Sequence, residues 1–295
     1  MASETRHDLQ HARTSGRRPL FSKEQIQNSP SRKIGISADL ESRLRHYCVS
    51  FMSDVAKMLN LKRSTLATAS TLIQHFYMSF PFDRLYNKYQ VISACICLAG
   101  KLEEQRCTVQ QIAKAVLYHR HKVKPDRSST QFTDFQNGIL SIEILLLQAI
   151  RFNLYPSHPH DLLNRIVEFA ASTNEQGRIL LDLSSRFIND SLKTPASLMD
   201  SSETIAVACV HMAIIWMNMG LPSEERLNID ALWYTDYDKD ISPSYVERVC
   251  QLILNILEHP LTSSSPSKDN TRKRKPTGPN TPEIRRHDAM SNQLL

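Results

Sequence analysis

From residue 39 onward the apolar positions Leu40, Leu44, Tyr47, Phe51, Val55 and Met58 recur at spacings of three and four. That is one stripe over about five helical turns. A second helix is expected over residues 63–80, with Leu66, Ser70, Ile73, Tyr77 and Phe80 on one face. Residues 89–104 are apolar nearly all round as far as Gly100-Lys101, the pattern of a buried central helix. Thr108 offers an N-cap for a fourth helix running to about residue 118. A polar, basic loop over 119–133 leads to a fifth, about 134–152, which turns Ile139, Ile142, Leu146, Ala149 and Ile150 inward. Pro156 and Pro159 close this block.

Ahead of it lies a short helical segment, residues 20–26, with Ser22 as N-cap. Pro30 and its Ser/Asn neighbours break that segment, and Ser29-Pro30 reads as a turn. Behind the block, helices are expected over about 160–172, 175–191, 203–219, a short one near 229–233, and 243–258. The boundaries that follow are a disordered tail over 1–19, an N-terminal helix and linker over 20–38, helical domains over 39–155 and 156–260, and a basic disordered tail over 261–295.

Two five-helix blocks suggest a duplication. Ala94-Cys95-Ile96-Cys97-Leu98-Ala99 aligns with Ala208-Cys209-Val210-His211-Met212-Ala213 at an offset of 114, which sets Lys101 over Ile215. In the fifth helices Glu143 falls over Glu247, an offset of 104, and the loop at 119–133 absorbs the difference.

Composition narrows the function. Only seven glycines occur in 295 residues, and neither GxGxxG nor GxxxxGK[ST] is present, so a phosphate-cradling loop is not expected. The net charge of +6 belongs to the ends: residues 1–33 and 259–295 each carry seven Lys/Arg against three Asp/Glu, leaving 22 against 24, a net of −2, between them. A nucleic-acid reader would carry its positive charge on the fold. The polar first 33 residues lack the apolar stretch of a signal peptide, and the six cysteines sit mostly in apolar helical stretches, so buried free thiols in a reducing, intracellular compartment are expected. The longest apolar stretch, residues 205–217, is too short to span a bilayer. Cys95 and Cys97 point about 200° apart on a helix and make no metal clip. No ligand set surrounds His75, His158, His160 or His211, so neither a metal site nor a catalytic centre is expected, and no cofactor.

Several segments, in order, are similar to the transcriptional cyclins of the T and K types: residues 21–32 (FSKEQIQNSPSR), 75–78 (HFYM), 98–105 (LAGKLEEQ), 146–152 (LLQAIRF) and 158–160 (HPH). The resemblance runs from about residue 20 to 258. It implies an all-α cyclin fold of two tandem five-helix boxes with a short N-terminal helix. It also implies a non-catalytic subunit that binds a cyclin-dependent kinase through the first box and activates it toward the C-terminal repeats of RNA polymerase II, promoting elongation in the nucleus. In that family pattern Lys101 and Glu143 hydrogen-bond the regulatory helix of the kinase and the turn before it. Glu104, Leu98, Ile150 and Phe152 match the same patch, and Cys97 stands where the T branch often has a larger aromatic. For Lys101 the competing reading is a cap on its own helix with Glu143 solvated; Glu103 and Glu247 are expected to be solvated. Arg272, Lys273, Arg274 and Lys275 read as a nuclear localisation signal, with Ser265-Pro266 and Thr281-Pro282 as candidate sites of a proline-directed kinase.

Two departures stand out. The aromatic pair usual before the N-terminal helix is here Pro19-Leu20, and residues 44–49 lack the Met-Arg-Ala-Ile-Leu motif of cell-cycle cyclins. The alternatives are another transcriptional cyclin of the L, C or H type, or a two-box general transcription factor of the TFIIB kind, which binds DNA. The charge of residues 34–258 and the lack of an N-terminal zinc ribbon argue against the last.

Overall fold

The computed structural model describes residues 21–105, 107–154, 157–171, 175–220, 226–227 and 229–258. Every regular element among them is a helix. The two tails, with Arg272–Lys275 and the Ser-Pro and Thr-Pro dipeptides, lie outside the described residues, as does Pro156.

Helix α1 (Lys23–Gln27) opens on a capping box: Ser22 Oγ accepts from the Gln25 N–H, and the Gln25 side chain accepts from the Ser22 N–H. The helix ends at Gln27, before Pro30 as expected, but Ser29-Pro30 is not a turn. Ser29 caps α2 (Pro30–Lys33), and the proline sits at the first helical position, where its missing N–H costs nothing.

Five helices follow: α3 (Ala38–Met58), α4 (Arg63–Ser79), α5 (Lys88–Leu102), α6 (Val109–His121) and α7 (Thr130–Ala149). They share one core. Helix α5 runs through its middle against the other four, and every residue from Val91 to Gly100 is buried. The basic loop is shorter than expected. Helix α6 continues to His121 and ends on Lys122 in the left-handed region (φ 57), while Ser129 caps α7 ahead of the buried Phe132. Beneath α3 a buried pair, Arg45 and Glu41, is fully bonded. Arg45 donates to Glu41 and to the carbonyls of Gln74 and Tyr77, while Ser29 and Arg32 donate to the second Glu41 oxygen. Such saturation is what a buried charge pair requires, and it fastens the N-terminal segment to α3 and α4.

The second half holds α8 (Pro159–Ala170), α9 (Glu175–Ser191), α10 (Ala196–Met199), α11 (Ser202–Gly220), α12 (Tyr234–Tyr237) and α13 (Pro243–Glu258) around a core of its own. Pro159 opens α8 at its first position with His158 as N-cap, the helix-start arrangement that the His158-Pro159-His160 sequence signals. The four-residue α10 was not expected, and the short helix foreseen near 229–233 lies at 234–237. Helix α11 also differs from expectation, because Ser202–Met219 is long and apolar enough, by length and composition alone, to cross a membrane. Here it is a core helix, wrapped by α8, α9 and α13, and its buried run from Ile205 to Val210 holds the second core together.

Several bonds join the halves. Gln74 donates to the Leu192 carbonyl at 3.2 Å, the Phe21 N–H donates to the Leu198 carbonyl at 2.7 Å, and α10 packs on α4.

Candidate partner-binding surface

Helices α5 and α7 run parallel: Gln90 near the start of α5 donates to the Phe135 carbonyl, and Lys101 at its end meets Glu143. The approach is close at Gly138, where a Cβ would fall 2.0 Å from the Gln90 side-chain nitrogen. This register sets Lys101 Nζ 2.5 Å from Glu143 Oε1.

The two partners differ in exposure. The Lys101 side chain is 55% exposed and that of Glu143 only 10%, so Glu143 is not the solvated charge of the competing reading, and the lysine reaches across to α7 rather than back to its own helix. The hydrogen bond to Glu143 raises the Lys101 pKa above its usual value. Cys97, one turn earlier on α5, lies with Sγ 3.9 Å from the other Glu143 oxygen, and burial foremost, then that carboxylate, pushes its thiol up. The repeat alignment gives no such pair in the second half, where Ile215 and Glu247 are both exposed.

The remaining residues of the expected patch separate into two groups. Leu98, Ile150 and Cys97 are buried, at 5%, 3% and 3%, and belong to the first core rather than projecting from its surface. Glu104 and Phe152 are exposed and stand at the ends of α5 and α7. Helix α5 closes with the Gln105 N–H bonded to the Gly100 carbonyl and Glu104 left-handed at φ 53. That turn folds so tightly over Gly100 that a Cβ there would meet the Gln105 carbonyl oxygen at 2.7 Å. Helix α7 closes the same way through the Phe152 N–H and the Leu147 carbonyl, with Arg151 and Phe152 both left-handed. A left-handed phenylalanine is sterically costly, yet Phe152 is 65% exposed.

The sequence pattern did not single out Leu140 and Ile144, which are 48% and 61% exposed on α7. By helical periodicity they lie on the open side of Glu143, with the half-buried Leu147 between them and the pair. The signal was present: residues 139–147 hold more apolar positions than one buried stripe can use. The result is an apolar surface crossed by one ion pair.

A second expected surface charge is internal. Glu103 was expected in solvent, but it accepts from Thr68 Oγ1 at 2.5 Å and lies 3.2 Å from His158 Nε2, the N-cap residue of α8. His211 packs edge-on against Tyr234, and its Nδ1 has no partner among the described residues. Among those residues no group of three His, Cys, Asp or Glu is placed to hold a metal ion, and Cys95 is wholly buried.

Residues 19–155 match the family model described as "Cyclin, N-terminal domain". Cyclin-T1 of Mus musculus is 26% identical over 249 residues, 83% of this chain and 33% of the relative. Cyclin-K of Danio rerio is 28% identical over 253 residues, 84% of this chain and 58% of the relative. The chain thus spans about a third of the length of the T1 relative. A chain of the yeast RNA Pol II CTD kinase CTDK-1 complex superposes with a TM-score of 0.67 at 23% identity, covering 82% of this chain and 74% of that one. A chain of the Chaetomium thermophilum CAK complex gives 0.62 at 15% identity, covering 84% and 80%. Both likenesses concern the fold.

Proposed function

We propose that this chain, a cyclin of the transcriptional T and K type by its N-terminal domain and its relatives, is the regulatory subunit of a cyclin-dependent kinase that phosphorylates the C-terminal repeats of RNA polymerase II. It contributes no catalytic group. The observation that carries the reading is the Lys101–Glu143 pair set in exposed apolar surface and occurring in one half only.

The chemistry suits a mobile helix of the kinase. Leu140, Ile144 and Phe152 offer apolar surface whose burial favours a complex, offset by the cost of association and side-chain ordering. Lys101, already fixed by Glu143, presents an ammonium to backbone carbonyls or a carboxylate of the partner, which sets its register. Holding that helix in its active position is a population shift, the cyclin being the ligand that selects the active state. On this reading the chain carries two cyclin boxes, over 39–155 and 156–260, the first gripping the kinase. Arg272–Lys275 would direct the chain to the nucleus, where its substrate is.

The test is phosphorylation of a polymerase repeat peptide by candidate cyclin-dependent kinases, with and without the full chain. Stimulation that is lost in Lys101→Glu supports the reading. No binding to any such kinase removes it.

A further inference from the structure

We infer that the cleft between α3, the start of α5 and the end of α6 docks a phosphorylated peptide of the phosphoserine or phosphothreonine kind. The cleft measures about 240 Å³ and is lined by Tyr47, Ser50, Asp54, Tyr89, His119 and Arg120, with Phe51 beside them.

Two cations converge on one ring there. The Arg120 guanidinium lies 4.3 Å from the Tyr89 centroid, and the Lys88 ammonium lies 5.4 Å from the same centroid and 4.6 Å from that of Tyr47. The Tyr47 and Tyr89 hydroxyls meet at 3.0 Å and, with Ser50, add donors. The single carboxylate, Asp54, is already engaged: Lys57 donates to it at 3.2 Å, and His119 Nε2 stands 3.6 Å away. Stacking holds the guanidinium fork in place before a ligand arrives, so less freedom is lost on binding. Burial foremost, opposed by Cys48 and helped to a smaller extent by repulsion from Arg120, draws the Lys88 pKa down to about 8; an anion between the two cations relieves that repulsion.

The stretch of chain that supplies His119 and Arg120 carries the same sign. Residues 114–127 hold Lys114, Arg120, Lys122, Lys124 and Arg127 against Asp126 alone, in a folded region whose net charge is −2. A tetrahedral dianion uses a fork, an ammonium and hydroxyls together, which a single side-chain carboxylate does not. Single-stranded RNA would need free aromatic faces for its bases, and a face of Tyr89 is taken by Arg120. The inference deepens the proposed function and rests on it for the source of the ligand, since a phosphopeptide is what the kinase makes. Docking the product on the regulatory subunit would keep a repetitive substrate near the kinase for its next site.

Fluorescence anisotropy on the full chain, with no kinase present, tests it. The probes are a labelled acidic peptide with one phosphoserine, its unphosphorylated twin, and a short single-stranded RNA. The phosphopeptide is expected to bind at least about tenfold more tightly than the twin, and Arg120→Gln to lose about tenfold at an unchanged melting temperature. Tyr89→Phe, which keeps the ring and removes a donor, should weaken binding in the same direction and serves if Arg120→Gln folds poorly. Equal binding of the twin overturns the inference, and so does equal competition by RNA. Loss in Lys122→Gln/Lys124→Gln with none in Arg120→Gln also overturns it, by placing the contact on the loop. Phosphopeptide binding by a chain that activates no kinase would sink the proposed function and leave this site standing; kinase activation without such binding would do the reverse.

Discussion

Glu103 and His158 face each other across the seam between the two cores: His158 Nε2 lies 3.2 Å from Glu103 Oε1, and Thr68 Oγ1 reaches both, at 2.9 and 2.5 Å. The C-cap of α5, α4 and the entry to α8 meet at this one half-buried point. Burial alone would raise the carboxyl pKa, but hydrogen bonds from Thr68, His158 and Ser64 hold it below its ordinary value. A carboxylate with a depressed folded pKa adds stability above the unfolded value and loses it as pH falls through the folded one. Glu103→Gln is therefore expected to cost about 1–2 kcal/mol near neutrality, with a gap that closes toward pH 3. Urea unfolding at the two pH values measures it, and a gap independent of pH would deny the carboxylate this role.

His46 senses a different range. Burial, and Lys193 after it, lower its pKa from 6.5 to about 4, with Asp190 opposing. The unfolded imidazole takes up its proton near 6.5, so the folded state loses stability as pH drops from 6.5 toward 4, by up to about 3 kcal/mol. His46→Gln should flatten thermal stability over that window. A mutant with the wild-type pH profile would assign the loss to other groups.

Lys101→Ala separates binding from folding. The lysine is more than half exposed, so its pair contributes little to stability, about 1 kcal/mol at most. Partner affinity is expected to fall by about 2 kcal/mol, read by calorimetry with the cognate kinase. Collapse of the melting temperature with intact affinity in the folded fraction would make Lys101 structural.

Glu143→Gln and Glu247→Gln form a matched pair, one substitution in each half. Glu143 is buried beneath Lys101, whereas Glu247 stands in solvent. Kinase activation should drop at the first site, by about 2 kcal/mol or more in binding, and stay within about 0.5 kcal/mol of wild type at the second. Equal losses at equal melting temperature would show both halves gripping the kinase.

Leu140→Ser/Ile144→Ser removes apolar surface that the isolated chain leaves open. Chain stability should shift by less than about 1 kcal/mol, while kinase binding weakens by about 2 kcal/mol or more as this apolar burial is lost. Unchanged binding would move the interface off α7.

Long periodic stretches were legible because a buried stripe leaves its spacing in the chain, as α3 and α9 show. Lys101 stood out because it ends an otherwise apolar helix and has Ile215 as its repeat partner. Features set by distant neighbours were not legible. The reading of Pro30 depended on Ser29 acting as a cap, and the burial of Glu103 on Thr68 and His158, 35 and 55 positions away. The exposure of Leu140 and Ile144 follows from α7 turning only part of its apolar surface to the core, which no local pattern states.

The bond from the Phe21 N–H to the Leu198 carbonyl also orders events in time. A ribosome delivers Phe21 early and α10 only after the whole first core, with most of the second core still to be made. The capped N-terminal segment therefore has no anchor on α10 until the first core is complete, and its docking becomes open to it while α11 to α13 are still to be synthesised.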